Sequence, residues 1–337
     1  MPKPDPKDEV PPDEFPPDRD ESPARDAYPD RDEYGGGGRG IEVEAGSLAG
    51  GGAPVSVISP LARGRRQPRG IIFWTAVVWL GLVIFAAATA TVLPLPDPND
   101  IDIRAKLAGP LSPGHLLGTD GLGRDILSRL ASGARVSLTI SSVSVFIGMV
   151  IGGTLGMMVG YFRGAFESVV MWAMNVLLAF PALIFLLGLV AFVGQSMVAI
   201  IAAIAFFSIP VYARVARATT LAVSQREFVL ASRAMGARSG RILFREILPN
   251  VLLPVGAFAL VALGVVIVVE GTLAFLGLSV QPPAATWGGM IAEGRRHIFD
   301  TVNAALVPSV VMFLTVLALN FVGDSVRGRF DVRESNL

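Results

Sequence analysis

The sequence contains no cysteine, two histidines and three lysines among its 337 residues. Because cysteine is absent, the chain has no disulfide framework, no cysteine-ligated zinc and no iron–sulfur cluster. The two histidines, His115 and His297, are too few for a histidine-based metal site or a pair of haem ligands. No lysine follows a glycine-rich run and precedes Ser or Thr, so the chain has no P-loop. Any ATP that the protein uses must therefore be bound by another chain.

Charged residues are scarce as well. They make up 17% of the chain, whereas hydrophobic residues make up 52% and the mean hydropathy is +0.58. A typical soluble domain is about 25% charged. Four runs contain no Asp, Glu, Lys or Arg: residues 70–96, 136–162, 168–213 and 301–323. Since a water-facing surface needs more charge than these runs offer, the composition predicts a polytopic membrane protein.

Residues 1–60 have the opposite character. Residues 1–40 contain nine prolines, 12 acidic residues, 6 basic residues and a run of four glycines. Such a segment buries too little apolar surface to offset the entropy that it would lose on ordering. We expect a disordered, acidic, Pro/Gly-rich tail, which is either a solvated extension or a docking arm.

The apolar runs are long enough to cross a membrane. A hydrocarbon core about 30 Å thick needs about 20 residues of helix at 1.5 Å per residue. The uncharged stretch 168–213 is about twice that length and must contain two helices, broken around residues 194–196. The pattern predicts an all-α integral membrane protein with six transmembrane helices, near residues 71–93, 136–160, 168–193, 197–215, 251–269 and 305–323.

The distribution of Lys and Arg predicts the orientation. With the N-terminus in the cytoplasm, the cytoplasmic segments contain 21 of these residues and the outer segments contain 7. Cytoplasmic loops of membrane proteins are enriched in Lys and Arg. Six spans then place both the N- and the C-terminus on the cytoplasmic side of a multi-pass protein in the cytoplasmic (plasma) membrane.

The basic segment 211–249, between the fourth and fifth predicted spans, is too long for a simple turn. Ser224 and Glu227 have the spacing of a capping box, which predicts a helix over residues 225–235. Gly236 follows, and glycine is the residue type that best adopts the left-handed conformation at a helix C-terminus. The first helix of this segment is therefore expected to stop at Gly236.

A second helix in this segment is predicted to run to Pro249, so that the two helices project from the membrane as a helix–turn–helix. The first presents one small apolar face, because Phe228, Ala231 and Met235 are separated by three and four positions. A short apolar helix with basic flanks outside the bilayer is typical of an element that docks on a partner. On the residues alone, an amphipathic helix that lies on the membrane surface is an equal alternative.

The same segment resembles a known signature. Residues Glu227–Arg238, continuing to Glu246–Asn250, are similar to the loop of permease subunits of binding-protein-dependent ABC importers. Within these, the chain resembles the second permease of dipeptide, oligopeptide and nickel systems. The resemblance extends over roughly residues 70–330 in order and spacing. Four further segments contribute to it: His115–Asp125, Leu177–Pro181, Ser279–Gly288 and Asn320–Asp324.

The resemblance implies that the loop contains a coupling helix, which fits a groove on an ATPase subunit. The paired alanines of the family's motif correspond to Ala231 and Ser232, and its glycine corresponds to Gly236. The glutamate that usually precedes the alanines is Leu230 in this chain. The residues that the resemblance assigns to ATPase coupling are Glu227, Phe228, Ala231, Ser232, Arg233, Ala234, Met235, Gly236 and Ala237.

The resemblance also implies an architecture, the type I fold of ABC importer permeases, and an alternating-access mechanism. The partners would be a sister permease, two ABC ATPase subunits or one two-headed ATPase chain, an extracytoplasmic substrate-binding protein, a peptide substrate and membrane lipid, but no nucleic acid. ATP and Mg would be bound by the ATPase subunits, and this chain would contain no catalytic residue, cofactor or metal.

We expect the following organisation along the chain. The segments are the tail 1–60, a basic flank with the first span over 61–93, an outer loop over 94–135, a core domain over 136–330 with the coupling loop at 216–248, and a C-terminal tail over 331–337.

Three residues are candidates for lining the substrate pathway. Glu270 ends an apolar run, where an ionisable side chain is costly and often functional. Alternatively, Glu270 reaches the outer interface and caps a short helix over residues 272–278. Asn175 lies in the third span, where relatives often carry Asp, and either lines the pathway or bonds a neighbouring helix. Asn320 belongs to the last of the resembling segments.

Glycines and prolines predict details of the packing between the spans. Four glycines in the second span favour close helix packing: Gly152, Gly153, Gly156 and Gly160. Three prolines in or near apolar runs predict kinks that neighbouring helices accommodate: Pro181, Pro210 and Pro254.

An ATP-independent secondary transporter or channel is the main alternative function. It predicts buried acid–base partners or an inverted internal repeat, whereas the spans contain one candidate acid, no Lys or Arg and no evident repeat. An intramembrane hydrolase would need a nucleophile with a base, or a metal motif. A purely structural scaffold would leave the coupling loop unexplained. The cargo stays open among dipeptides, longer peptides, nickel chelates and haem.

Overall fold

The computed structural model describes residues 70–334, which form helices and loops without a β-strand in this range. The predicted tail 1–60 lies outside the described residues. The α-helices are α1 (Ile71–Thr89), α2 (Ile126–Phe162), α3 (Gly164–Ala179), α4 (Ala182–Val193), α5 (Met197–Val223), α6 (Glu227–Ala234), α7 (Ser239–Arg241), α8 (Leu248–Phe275), α9 (Trp287–Gly294) and α10 (Asn303–Glu334).

Five helical segments are long and apolar enough to cross a membrane: Ile71–Thr89, Ile126–Phe162, Met197–Val223, Ser239–Phe275 and Asn303–Gly328. The third predicted span is instead a broken pair, because α3 and α4 are bent by 87° where they meet. The break lies at Pro181, since the residue before a proline is disfavoured in the helical conformation and Phe180 is extended (φ −76°, ψ 135°). The predicted all-α membrane fold is confirmed, with six spans when the bent pair is counted as one.

The helix before the fifth span does not end at Pro249, and that prediction is wrong. α7 continues through a π-helical segment, Ile242–Ile247, directly into α8, so that Ser239–Phe275 is one uninterrupted helical element. The N–H of Leu248 donates to the carbonyl of Leu243, five residues earlier. Pro249 therefore lies inside the helical element, directly after the π-helical segment, rather than at its end.

α2 begins at Ile126, well before the charge-free run that starts at residue 136. The carboxylate of Asp125 caps this helix by accepting the N–H of Ser128 at 2.8 Å. The first turn contains Arg129, a buried residue that forms ion pairs with acidic side chains outside α2. The uncharged run does not include this turn, because the turn contains Arg129, whose charge is balanced by ion pairs inside the folded chain.

Glycines on α2 allow the backbone of α5 to approach closely. A Cβ atom on Gly156 would lie 2.9 Å from the Cα and carbonyl carbon of Ala213, and one on Gly160 would lie 2.9 Å from Thr220 Cβ. Gly152 likewise faces the carbonyl of Ile209. Gly153 has no atom within 4 Å of such a Cβ. The predicted role in close packing is confirmed for three glycines of the group and is wrong for Gly153.

α1 lies at the margin of the bundle and packs on α2 and α10. Its buried side chains are small or branched, Ala76, Val83 and Ala87, and Trp79 Nε1 donates to Thr315 Oγ1 of α10 at 3.2 Å. The remaining surface of α1 is apolar and exposed, as expected for a helix in contact with lipid. The main core lies between α2, α5 and α8.

Candidate functional site

α6 is a two-turn helix that stands between α5 and the long α7–α8 element. It starts at Glu227 rather than at residue 225, and the predicted capping box is wrong. Ser224 instead ends α5, where its hydroxyl donates to the carbonyl of Leu221 at 3.0 Å. The residue before α6 is Arg226, whose side chain makes no capping hydrogen bond.

Val229 and Ser232 attach α6 to the helical element that follows it. Val229 is 0% exposed and belongs to the main core cluster, together with Ile242 and Ile247 of the π-helical segment. Ser232 Oγ donates to Glu246 Oε1 at 2.6 Å. A displacement of α6 would therefore be transmitted directly to the helix that continues into α8.

α6 ends in the left-handed turn that the sequence predicts. Gly236 has φ +79°, and its N–H donates to the carbonyl of Arg233 at 3.1 Å. The N–H of Ala237 donates to the carbonyl of Ser232 at 3.1 Å. These two bonds form a Schellman motif, which satisfies carbonyls that the helix end leaves free.

Seven of the nine predicted coupling residues are exposed, whereas Ser232 and Ala237 are partly buried against the rest of the chain. Phe228 and Leu230 are 42% and 49% exposed, and Met235 is 80% exposed. Ala231 and Ala234 are exposed between them. An apolar patch beside charged residues on a water-facing helix is typical of a protein interaction site. The structure thus brings together the residues that the sequence predicts for docking, and their role in coupling stays a prediction.

The candidate pathway residue Asn175 lies on α3 and is exposed. Its Oδ1 accepts a hydrogen bond from Arg214 Nη2 of α5 at 2.8 Å. A second contact joins the same helices, because Arg217 forms an ion pair with Glu167. Glu167 and Asn175 of α3 are therefore directed to α5, and Arg214 is a partner that the sequence pattern alone does not identify.

Glu270 is 1% exposed and lies inside α8, which continues to Phe275. The expectation of a separate helix over residues 272–278, capped by Glu270, is wrong. Oε1 of Glu270 accepts a hydrogen bond from Ser279 Oγ at 2.8 Å, and Oε2 accepts one from Ser137 Oγ at 3.2 Å. The Ser137 hydroxyl also accepts the N–H of Trp287 at 3.2 Å. Glu270 thus connects α8 with α2 and, through Ser137, with the start of α9.

Asn320 lies on α10, where its Nδ2 donates to the carbonyl of Val316 in the same helix at 2.9 Å. It faces Gly264 of α8, because a Cβ on that glycine would lie 3.6 Å from Asn320 Nδ2. No hydrogen bond in the described chain joins any two of Asn175, Glu270 and Asn320. The three candidates therefore occupy separate positions in this structure.

The predicted outer loop is fastened to α9 by four charged side chains, which we call the outer ionic cluster: Asp120, Arg124, Arg129 and Glu293. Arg124 Nε lies 2.7 Å from Asp120 Oδ2, and Arg124 Nη2 pairs with Glu293 Oε1. Arg129 lies 3.4 Å from Asp120 and 3.5 Å from Glu293. Two cations and two anions balance, and nothing in the sequence spacing indicates that Glu293 meets arginines 164 and 169 positions earlier in the chain.

Glu293→Gln is expected to destabilise the folded chain by about 1–3 kcal/mol, because two buried arginines would then share one carboxylate. The figure is below that of a fully buried pair, since the Glu293 side chain is 31% exposed. The measurement is the thermal unfolding midpoint of the purified protein in detergent. Asp300→Asn is the control, because Asp300 is exposed and lies 3.6 Å from His297. Equal midpoints for the two variants would contradict the role given to the cluster.

Among residues 70–334, no group of three or more His, Asp or Glu side chains is arranged to hold a metal ion. The candidate site combines an exposed helix, a broken span and polar contacts between helices.

Comparison with known proteins places the chain in a family. Residues 152–336 match the family model described as binding-protein-dependent transport system inner membrane component. The chain is 39% identical over 250 residues to the glutathione transport system permease protein GsiD of Pectobacterium atrosepticum, which covers 74% of this chain and 83% of that protein. It is 38% identical over 268 residues to GsiD of Escherichia coli O6:K15:H31, with coverage of 79% and 88%.

A solved structure has the same fold. The inward-facing MetNI methionine ABC transporter matches with a TM-score of 0.50 at 22% identity, over 60% of this chain and 96% of that chain. At this identity the likeness concerns the fold alone. The helical fold and the sequence matches agree, and the chain belongs to the family of inner-membrane components of binding-protein-dependent transport systems, as a non-catalytic permease component of an ABC importer.

Proposed function

We propose that the chain is the subunit through which an ATP-driven importer moves di- and oligopeptides across the cytoplasmic membrane by alternating access. The two GsiD relatives support a peptide cargo, because glutathione is itself a small peptide. The absence of a P-loop from the sequence supports a division of labour in which separate ATPase subunits bind ATP and Mg²⁺.

The observation that carries the proposal is the construction of α6. Its apolar face is exposed, while Val229 and the Ser232–Glu246 hydrogen bond fix it to the helical element that includes α8. A helix that docks on an ATPase must be open on one side and rigidly attached on the other. Motion of the ATPases would then pass through Glu227–Ala237 into the spans.

A sister permease would cover the broken span. None of the residues of α3 is buried within this chain, and large apolar side chains such as Trp172, Ile184 and Phe192 are exposed along α3 and α4. Non-helical backbone at membrane depth is tolerated only where protein covers it or where it lines a cavity. The bend at Pro181 therefore favours a second membrane subunit on this face, with Asn175 near the path between the two.

The two ends of the spans indicate where the remaining partners would bind. The excess of Lys and Arg supports a cytoplasmic location for both termini and for α6. The opposite end, with the outer ionic cluster and the segment Gln281–Gly288, would receive the substrate-binding protein that delivers the peptide.

The test is co-purification of the tagged chain from its native membrane. A second permease and P-loop ATPases are expected with the wild type. In the double variant Ala231→Arg with Gly236→Pro the sister permease should be retained and the ATPases lost. Arginine at position 231 places a long charged side chain on the exposed face of α6. Proline at position 236 cannot adopt the φ of +79° that Gly236 has. Gly240→Ala is the control, because Gly240 lies in the same loop with open space around it.

Transport itself distinguishes the proposal from an ATP-independent transporter or channel. Membrane vesicles that contain the whole assembly should accumulate a labelled dipeptide only with ATP, Mg²⁺ and the binding protein present. Uptake that persists without ATP, or purification of the chain as a homo-oligomer, would overturn the proposed coupling and favour ion-driven transport.

A further inference from the structure

A cavity of about 310 Å³ opens beside α6, where α2 and α5 end. Its wall combines the end of α2, the turns α2–α3 and α5–α6, and α6 itself. We call it the arginine cavity, after the two arginines among its lining residues, Tyr161, Arg163, Ser224, Gln225, Leu230 and Arg233.

The arginine cavity is positively charged without an acid of its own. None of its lining residues is Asp or Glu, and neither Arg163 nor Arg233 forms an ion pair with any residue in the described part of the chain. The guanidinium of Arg233 lies 5.2 Å from the centre of the Tyr161 ring. Of the acids nearby, Glu167 pairs with Arg217 and one oxygen of Glu246 accepts the hydroxyl of Ser232. Glu227, at the start of α6, is exposed and forms no ion pair with either arginine in the described part of the chain.

We propose that the arginine cavity receives an acidic side chain, Asp or Glu, of the ATPase subunit that docks on α6. This inference rests on the proposed function. A guanidinium binds a carboxylate through two parallel N–H donors, and both arginines among the lining residues carry this pair of donors. Leu230 supplies the apolar wall against which the methylene groups of such a side chain would pack.

The position of the cavity favours a protein carboxylate over the phosphate of a lipid. Leu230 and Arg233 are exposed residues of α6, so the cavity is continuous with the face proposed to contact the ATPase. The rest of its mouth contains polar residues, Ser224 and Gln225, beyond the last residue of α5.

The experiment measures binding of the purified ATPase subunits to the permease pair in nanodiscs of neutral phosphatidylcholine. Arg163→Ala and Arg233→Ala are each expected to weaken binding at least about tenfold, as is usual when one partner of an interfacial charge pair is removed. Leu230→Glu should weaken binding to a similar extent, because it places a competing carboxylate inside the cavity. Arg238→Ala is the matched control, an exposed arginine of the same loop that does not line the cavity.

The outcomes separate this inference from the function on which it rests. Wild-type binding that all three cavity variants leave unchanged would overturn the inference and leave the coupling proposal standing. A loss of affinity seen only when anionic phosphatidylglycerol is added would assign the cavity to lipid phosphate and overturn it as well. Absence of wild-type binding would overturn both. Unchanged thermal midpoints of the variants serve to show that the folded permease was measured.

Discussion

Replacing Gly156 with valine is expected to prevent α2 and α5 from packing and to abolish recovery of the folded permease. A Cβ at this position would lie 2.9 Å from the Cα and carbonyl carbon of Ala213, and these are backbone atoms that no side-chain rotation can move away. Overpacking of a tight interface costs about 1–3 kcal/mol, and the upper end applies where backbone opposes the new atoms. The measurement is the yield of monodisperse protein in size-exclusion chromatography, together with its thermal midpoint.

Gly153→Val is the matched control for this prediction. It introduces the same side chain into the same helix, so that the change in helix propensity is identical. Gly153 has open space where Gly156 meets α5, and its variant should therefore be recovered in nearly normal amounts. If both variants were lost equally, helix propensity or insertion into the membrane would explain the result, and close packing would not.

Replacing Glu270 with leucine is expected to destabilise the protein by about 2–3 kcal/mol, because two buried hydroxyls would lose their acceptor. Ser137 and Ser279 both donate to this carboxyl group, which no described basic side chain contacts. The segment after α8 would lose its attachment to α8 through Ser279. The expected observation is a lower thermal midpoint in detergent or nanodiscs, with a smaller decrease for Glu270→Gln, which keeps one acceptor oxygen.

The control for Glu270 is a restoring variant rather than a distant residue. Adding Ser279→Ala to Glu270→Leu removes one unsatisfied hydroxyl and leaves Ser137 to accept the N–H of Trp287, and removal of both partners of a buried hydrogen bond is nearly neutral. The double variant should therefore be more stable than Glu270→Leu alone. A single variant as stable as the wild type would refute the assignment of Glu270 to this network.

These two predictions concern the scaffold on which transport depends. Gly156 of α2 is a point where the backbone of α5 approaches closely. Glu270 connects α8 with α2 and with the segment before α9. α2 is common to both contacts, so it joins the helix that precedes α6 to the helix that follows it. A change in the angle between these helices is the kind of motion that alternating access requires.

Several features of this protein were predictable because they depend on local properties of the chain. Uncharged runs of membrane-spanning length predict the spans, since backbone in lipid must be helical and side chains there must be apolar. Gly236 predicts the end of α6, since a left-handed residue is needed there whatever surrounds it. Most residues predicted to couple to the ATPase lie together because they are neighbours on α6.

Other features depend on which surfaces meet, and a single sequence does not specify that by pattern. Gly153 and Gly156 look alike in the chain, and only the packing of α5 decides which of them is needed. From the sequence, Glu270 is either a pathway residue or an interfacial cap, and its partner Ser137 lies 133 positions away. The outer ionic cluster and the continuation of the helix through Pro249 are not predictable from the sequence for the same reason. The length of uncharged runs and the residues that end helices act within a few turns. The sequence by itself therefore determined the membrane class, the approximate positions of the spans and the short helix that ends at Gly236. Pairings between distant side chains arise only when helices pack, and the tertiary structure alone decided them.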